Sequence, residues 1–158
     1  MRLEIQTIGV KSATMRFHGA ADRAANLRPA FSKIADDWID SERRQFASRK
    51  GWAPLAASTK KRKLRQGYGL QVMRQTGALE RALTIRRVQG QTIRLNRQSM
   101  SVGLLPKGKV FYGKFHQSKT TRADLPVRKV VVFDTLAERK VEPTIHDYIM
   151  HGSRTTRR

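Results

Sequence analysis

The sequence predicts an α+β fold: an antiparallel sheet of about four to five strands, covered on one face by a long helix and interrupted by an extended basic loop. Three observations predict it. Between residues 22 and 47, Leu27, Phe31, Ile34, Ala35, Trp38 and Phe46 recur at three- and four-residue steps, which places them on one face of a helix. From Leu83 onward, short alternating apolar runs are separated by turn residues, the pattern of a meander with one buried face. Between them, residues 49–75 concentrate lysine and arginine around Gly51, Gly67 and Gly69, with too little apolar content for a regular buried element.

Residues 2–8 alternate, with Leu3 and Ile5 on one side, and predict a first half-buried strand. A second extended piece is expected at residues 13–17, ended by Gly19. A short helix then runs to about Leu27, and a long one from Pro29 to about Ala47, since proline is tolerated only in a first helical turn. Gly51 suits the left-handed residue that closes a helix, and Trp52 follows in a turn fixed by Pro54, where it is expected to plug an apolar gap. Ser58 is expected to cap a short helix rich in lysine and arginine, with residues 60–65 gaining their order from a neighbour. Thr76 is expected to cap another short helix. Strands are then predicted at 83–88, 92–96 and 99–105, an aromatic cluster with Phe111, Tyr112 and Phe115 past a turn at 106–108, and a last strand at 127–133. Residues 143–150 fit one amphipathic helix with Ile145 and Ile149 inward. The chain is read as one domain over 1–150, with the basic loop 49–75 inside it, followed by a mobile basic tail at 151–158.

The formal charge is +21, and its distribution matters more than its size. Residues 43–123 hold 20 lysines and arginines against the single acid Glu80. Such a field attracts polyanions, so nucleic acid or an acidic protein neighbour is expected close by. The absence of cysteine removes disulfides, thiolate metal ligands and thiol nucleophiles, and fits a reducing cytoplasm. No apolar run reaches membrane-spanning length, and the first residues lack the apolar core of a signal peptide, so a soluble, non-membrane protein is expected.

The chemistry-bearing candidates are sparse. Asp36, Asp37 and Asp40 share a helix at a spacing that could hold magnesium, although one helix cannot surround an ion and a wet face paired with arginines is the commoner use. His116 has no partner acid four residues on, and His18, His116, His146 and His151 lack zinc-like spacing. No nucleophile elbow and no phosphate-cradling glycine loop is present, so neither an enzymatic activity nor a cofactor is expected.

The ordered set Trp52, Pro54, Leu55, Ser58, Thr59, Lys61, Thr76, Gly77, Leu79, Tyr112, His116 and Gln117 resembles the phage virion morphogenesis or tail completion proteins of the Mu type. The resemblance covers roughly residues 20–133 and extends to a P-x-R segment at Pro126 and Arg128. It implies a structural subunit, assembled in the host cytoplasm, that forms a ring, a hexamer by expectation, at the neck of a virion. There it would meet the head connector or stopper on one side and the tail terminator or tail tube on the other. Under this reading Trp52, Pro54, Leu55, Thr59, Lys61, Lys63, Tyr112 and His116 belong to the assembly interface. Asp36, Asp37 and Asp40 would meet the basic loop of a neighbouring copy. Arg49, Lys50, Lys60, Arg62, Arg65 and Arg74 are candidates for contacting genomic DNA through its phosphates. The alternative is a nucleic-acid-binding module without sequence preference, which explains the charge and leaves the ordered motif series unexplained.

Overall fold

The computed structural model describes residues 10–105, 110–117 and 126–152. The first helix, α1 (Val10–Ala25), is followed after two residues by the long α2 (Arg28–Ser48). Pro29 lies in the first turn of α2, where its missing N–H leaves no helical bond unmade. At the other end Arg49 takes the left-handed conformation and its N–H bonds to the Gln45 carbonyl. One face of α2 buries Ala30, Phe31, Ile34, Ala35, Trp38, Ile39 and Phe46, so this helix is the spine of the core.

Two elements cover that face. α4 (Ala78–Thr84) contributes Leu79, Ala82 and Leu83, three- and four-residue neighbours that form one helical face against α2. A hairpin of β1 (Gln91–Leu95) and β2 (Met100–Leu104) adds Ile93 and Val102, which stand opposite each other in register. Its turn is closed by the Asn96 N–H donating to the Ser99 carbonyl at 2.8 Å. Gly90 leads into the hairpin with φ of 96°, and a Cβ there would lie 2.4 Å from Val110, so only glycine lets these segments meet. A 3-10 turn (Phe111–Gly113) leads into α5 (Lys114–Gln117), whose last residue reaches the irregular stretch 126–134. That stretch runs along α2 and ends at α6 (Thr135–Glu138), capped by the Asp134 carboxylate accepting from the Ala137 N–H at 2.8 Å. Finally α7 (Val141–His151) packs on α1 and α2, with Pro143 again in a first turn.

The expected sheet of four to five strands is not what forms. Among the described residues the molecule is mostly helical, and its one sheet is the β1–β2 hairpin. Three expected strands account for the difference. Residues 13–17 lie inside α1, where Ala13 and Phe17 stand one helical turn apart, a spacing that short alternation does not distinguish from a strand. Residues 83 and 84 belong to α4, because Leu83 falls on the same buried face as Leu79; Ile85 then turns outward and is exposed. Residues 127–133 form no strand: they run as irregular chain with a bend at Val131, and among the described residues they pair with no strand. The two later strands, expected at 92–96 and 99–105, form at 91–95 and 100–104. The expected strand at 2–8, the turn at 106–108 and most of the basic tail fall outside the described residues.

Candidate assembly surface

Downstream of α2 the chain builds a basic arm on a series of fixed points. Gly51, at φ of 77°, lets it reverse, and Trp52 packs edge-on against Phe46 with ring centroids 5.0 Å apart. The Trp52 indole N–H donates to the Lys129 carbonyl at 2.8 Å. Arg128 answers from the other side: its guanidinium donates to the Ala53 carbonyl at 2.8 Å and the Pro54 carbonyl at 3.0 Å. The W-x-P turn is therefore stapled to residues 128–129 across more than seventy residues of sequence.

The next helix, α3 (Ala57–Arg65), begins at an extended Ala56 with no side-chain cap, so Ser58 is inside the helix and does not cap it. The short helix expected inside the basic loop 49–75 forms without that cap, and one of its own cations holds it in place. Lys63 is buried, and its ammonium donates to the carbonyls of Gln71 and Arg74, both at 2.7 Å. Burial lowers its pKa, which these two carbonyls oppose by solvating the charge. Arg74 is held by Glu80 at 3.2 Å and by the Gln71 side chain at 3.0 Å. The arm takes its shape from contacts within the chain rather than waiting for a neighbour to order it.

On the outer side of α3, Lys60, Lys61, Arg62 and Arg65 are exposed, and among the described residues none of them is in an ion pair. Leu64 stands among them with 62% of its surface open to solvent, and Leu70 follows at 46%. Lys50 and Pro54 are exposed as well, whereas Leu55, Thr59 and Arg49 are half-buried. Among the described residues the expected DNA-facing cations Lys50, Lys60, Arg62 and Arg65 thus have no ion-pair partner, while Arg74 is engaged by Glu80.

The three aspartates diverge. Asp36 accepts from Arg86, Asp37 from Lys140 at 3.0 Å and Asp40 from Arg43 at 2.8 Å. Asp36 and Asp37 reach other segments while Asp40 pairs within α2, and among the described residues no group of acids and histidines is arranged to hold a metal ion. Their expected partner, the basic arm of another copy, has three internal competitors. These are solvent-exposed pairs, each contributing about 0–1 kcal/mol, so such competition is weak.

Tyr112 and His116 lie near the staple. The Tyr112 hydroxyl is hydrogen-bonded to the Leu79 backbone, and partial burial raises its pKa. His116 is half-buried; burial and then the nearby Arg128 charge lower its pKa, so it stays neutral near pH 7. Its carbonyl accepts from the Arg128 N–H at 2.9 Å. This is the setting of a packed histidine rather than of a base facing a cleft.

The group that sequence reasoning missed is Glu42. It falls on the apolar stripe of α2, one turn after Trp38 and one before Phe46, and it is fully buried. Its Oε1 accepts from the Val132 N–H, while the other oxygen has no hydrogen-bond partner among the described residues. Desolvation pushes its pKa up to about 8, against the opposing hydrogen bonds from Val132 and Trp38. The signal was present, since an acid at four-residue spacing between two buried aromatics is aimed inward. Beside it Ser41 accepts from the Asp134 N–H at 2.9 Å, and Arg44 grips the Asp134 carboxylate with two hydrogen bonds, which holds that carboxyl below its ordinary range.

Comparison of the chain with protein-family models, with curated proteins and with solved structures finds no match.

Proposed function

We propose that this chain is a structural subunit of phage virion assembly, forming a ring at the head–tail neck that completes the tail and joins it to the head connector. The observation that carries the reading is the outer side of α3. It is a helix fixed in orientation by Lys63 and by the Trp52–Arg128 staple, and it presents cations with no ion-pair partner among the described residues around an exposed Leu64. An apolar anchor ringed by charge on a rigid element is the composition of a protein-docking face, not of a catalytic cleft. The motif series that resembles the tail completion proteins also has a physical use here: Trp52, Pro54, Leu79, Tyr112 and Gln117 all bear on the core or on the stretch 126–134.

The ring is tested by light scattering and negative-stain imaging of the purified chain, followed by imaging of labelled particles at the neck. A strictly monomeric chain absent from the neck would remove this reading. Reversal of Asp36, Asp37 and Asp40 together is expected to weaken the ring slightly, because each already has a partner in its own chain.

A second reading, nucleic-acid binding without sequence preference, is favoured by the unpaired Lys60, Lys61, Arg62 and Arg65. The two readings separate on salt dependence. Tight duplex binding by the monomer that falls steeply between low and moderate salt supports the binding module. Assembly that survives such salt supports the ring.

A further inference from the structure

We propose that the first half of α1 of one copy seats in an apolar groove of a second copy of this chain, making α1 the arm that links successive subunits. The inference rests on the self-association in the reading above and names the surfaces that carry it.

The arm is incomplete in its own subunit. Ala13, Phe17, Ala20 and Ala24 recur at four- and three-residue steps and so form one stripe of α1. The later half of that stripe is partly covered, since Ala20 and Ala24 lie where α1 packs on α7. The earlier half continues beyond the body: residues 12–18 are exposed throughout, with Phe17 at 76% and Met15 at 67%. These are the most exposed large apolar side chains among the described residues.

The groove is the complement. It has a volume of about 370 Å³ and is lined by Ile34 and Trp38 of α2, Met100 and Val102 of β2, Phe133 of the stretch 126–134, and Val141 at the start of α7. Several acids neighbour its lining residues along the chain. Asp37 adjoins Trp38, Asp134 adjoins Phe133, and Glu138 and Glu142 are exposed on either side of the α6–α7 turn. Lys140 and Arg44 pair with the two aspartates, which leaves the glutamates for an incoming cation. The arm brings Arg16 and has no acid between Val10 and Ala21.

Direction decides for a second copy over the arm's own subunit. Asn26 meets the Tyr148 hydroxyl at 3.0 Å, and Arg23 meets the carbonyls of Ile149 and Met150 at 2.7 and 3.1 Å. Moving back along α1 therefore moves forward along α7, so residues before Arg23 pass the C-terminal end of α7. Val141 and the groove lie at the opposite end, about 15 Å away at the helical rise. The arm leaves its subunit pointing away from its own groove. Because arm and groove are different surfaces, the contact is head-to-tail, the kind that closes rings.

The absence of native cysteine gives a direct test. Phe17→Cys and Met100→Cys chains, mixed under mild oxidation, are expected to form a disulfide-linked heterodimer, and a chain with both substitutions a ladder of linked oligomers. Phe17→Asp is expected to raise the concentration for half-assembly, read by light scattering, at least tenfold with no change in thermal midpoint. Links only between two Phe17→Cys copies, or an intramolecular link in the doubly substituted chain, would overturn the arm-to-groove contact. If the unmodified chain assembles, yet no 17–100 link forms and Phe17→Asp assembles normally, the inference fails and the ring reading stands. If the unmodified chain never associates, both fail.

Discussion

The β1–β2 hairpin and the irregular stretch 126–134 satisfy their backbones in opposite ways. In the hairpin, main chain pairs with main chain from Gln91↔Leu104 to Leu95↔Met100. In 126–134, side chains do most of that work. The Gln117 amide oxygen accepts from Val130 and Val131 at 3.0 and 3.2 Å, and its NH2 donates to the Val131 carbonyl at 2.9 Å. Glu42, Ser41 and Trp52 satisfy Val132, Asp134 and Lys129. A ladder tolerates almost any side chain that fits its faces, whereas a strap held by side chains depends on their identity and protonation. Since the same strap carries Arg128, which fixes the W-x-P turn, the placement of the basic arm inherits that dependence.

The largest expected difference between the two regions is in their response to pH. Glu42 has a folded pKa of about 8 against an ordinary 4.5, so its contribution to stability is complete below pH 4.5. Between those values the unfolded chain releases a proton that the folded chain keeps, so stability falls as pH rises and the contribution is lost through pH 8. The total is on the order of a few kcal/mol. Glu42→Gln keeps an acceptor for Val132 and cannot ionise, so urea unfolding at pH 9 is expected to find it more stable than the parent. A parent whose stability is flat from pH 5 to 9 would remove the buried acid from this account.

Next in size is Gln117→Ala, which leaves three strap groups without their partner. It is expected to cost roughly 2–3 kcal/mol in urea unfolding and to speed amide exchange at Val130 and Val131. Lys63→Met keeps most of the buried stem but removes the donor to Gln71 and Arg74. We expect a loss of about 1–2 kcal/mol, with proteolysis confined to residues 66–75 at lower protease concentration. The smallest effect belongs to the hairpin: Ser101→Ala, at an exposed position within the ladder, is expected to change stability by less than about 0.5 kcal/mol. A hairpin substitution as costly as Gln117→Ala would erase the contrast.

Legibility in the sequence followed the length of the pattern. The twenty-one-residue α2 was readable because its apolar face repeats many times and has a proline at one end and Gly51 past the other. The five-residue strands of the hairpin were readable because turn residues bracket them. The stretch 127–133 was read as a strand and is none, because alternation reports which side chains could share a face and says nothing of what the backbone bonds to. In the candidate surface, the cations of α3 were visible as a run, but nothing local marked Lys63 as the one turned inward. Its partners lie eight and eleven residues later and meet it only after the chain has turned at Gly67.

By itself the sequence determined the charge field, the spine helix and the places where the backbone must bend, because these follow from side-chain type and short-range geometry. Tertiary structure alone decided that an expected sheet is a hairpin and a strap, that Lys63 is buried, and that residues 12–18 of α1 are exposed. Each of those outcomes depends on contacts between residues distant in the chain, where desolvation and hydrogen bonding are settled by which surfaces meet and not by local propensity.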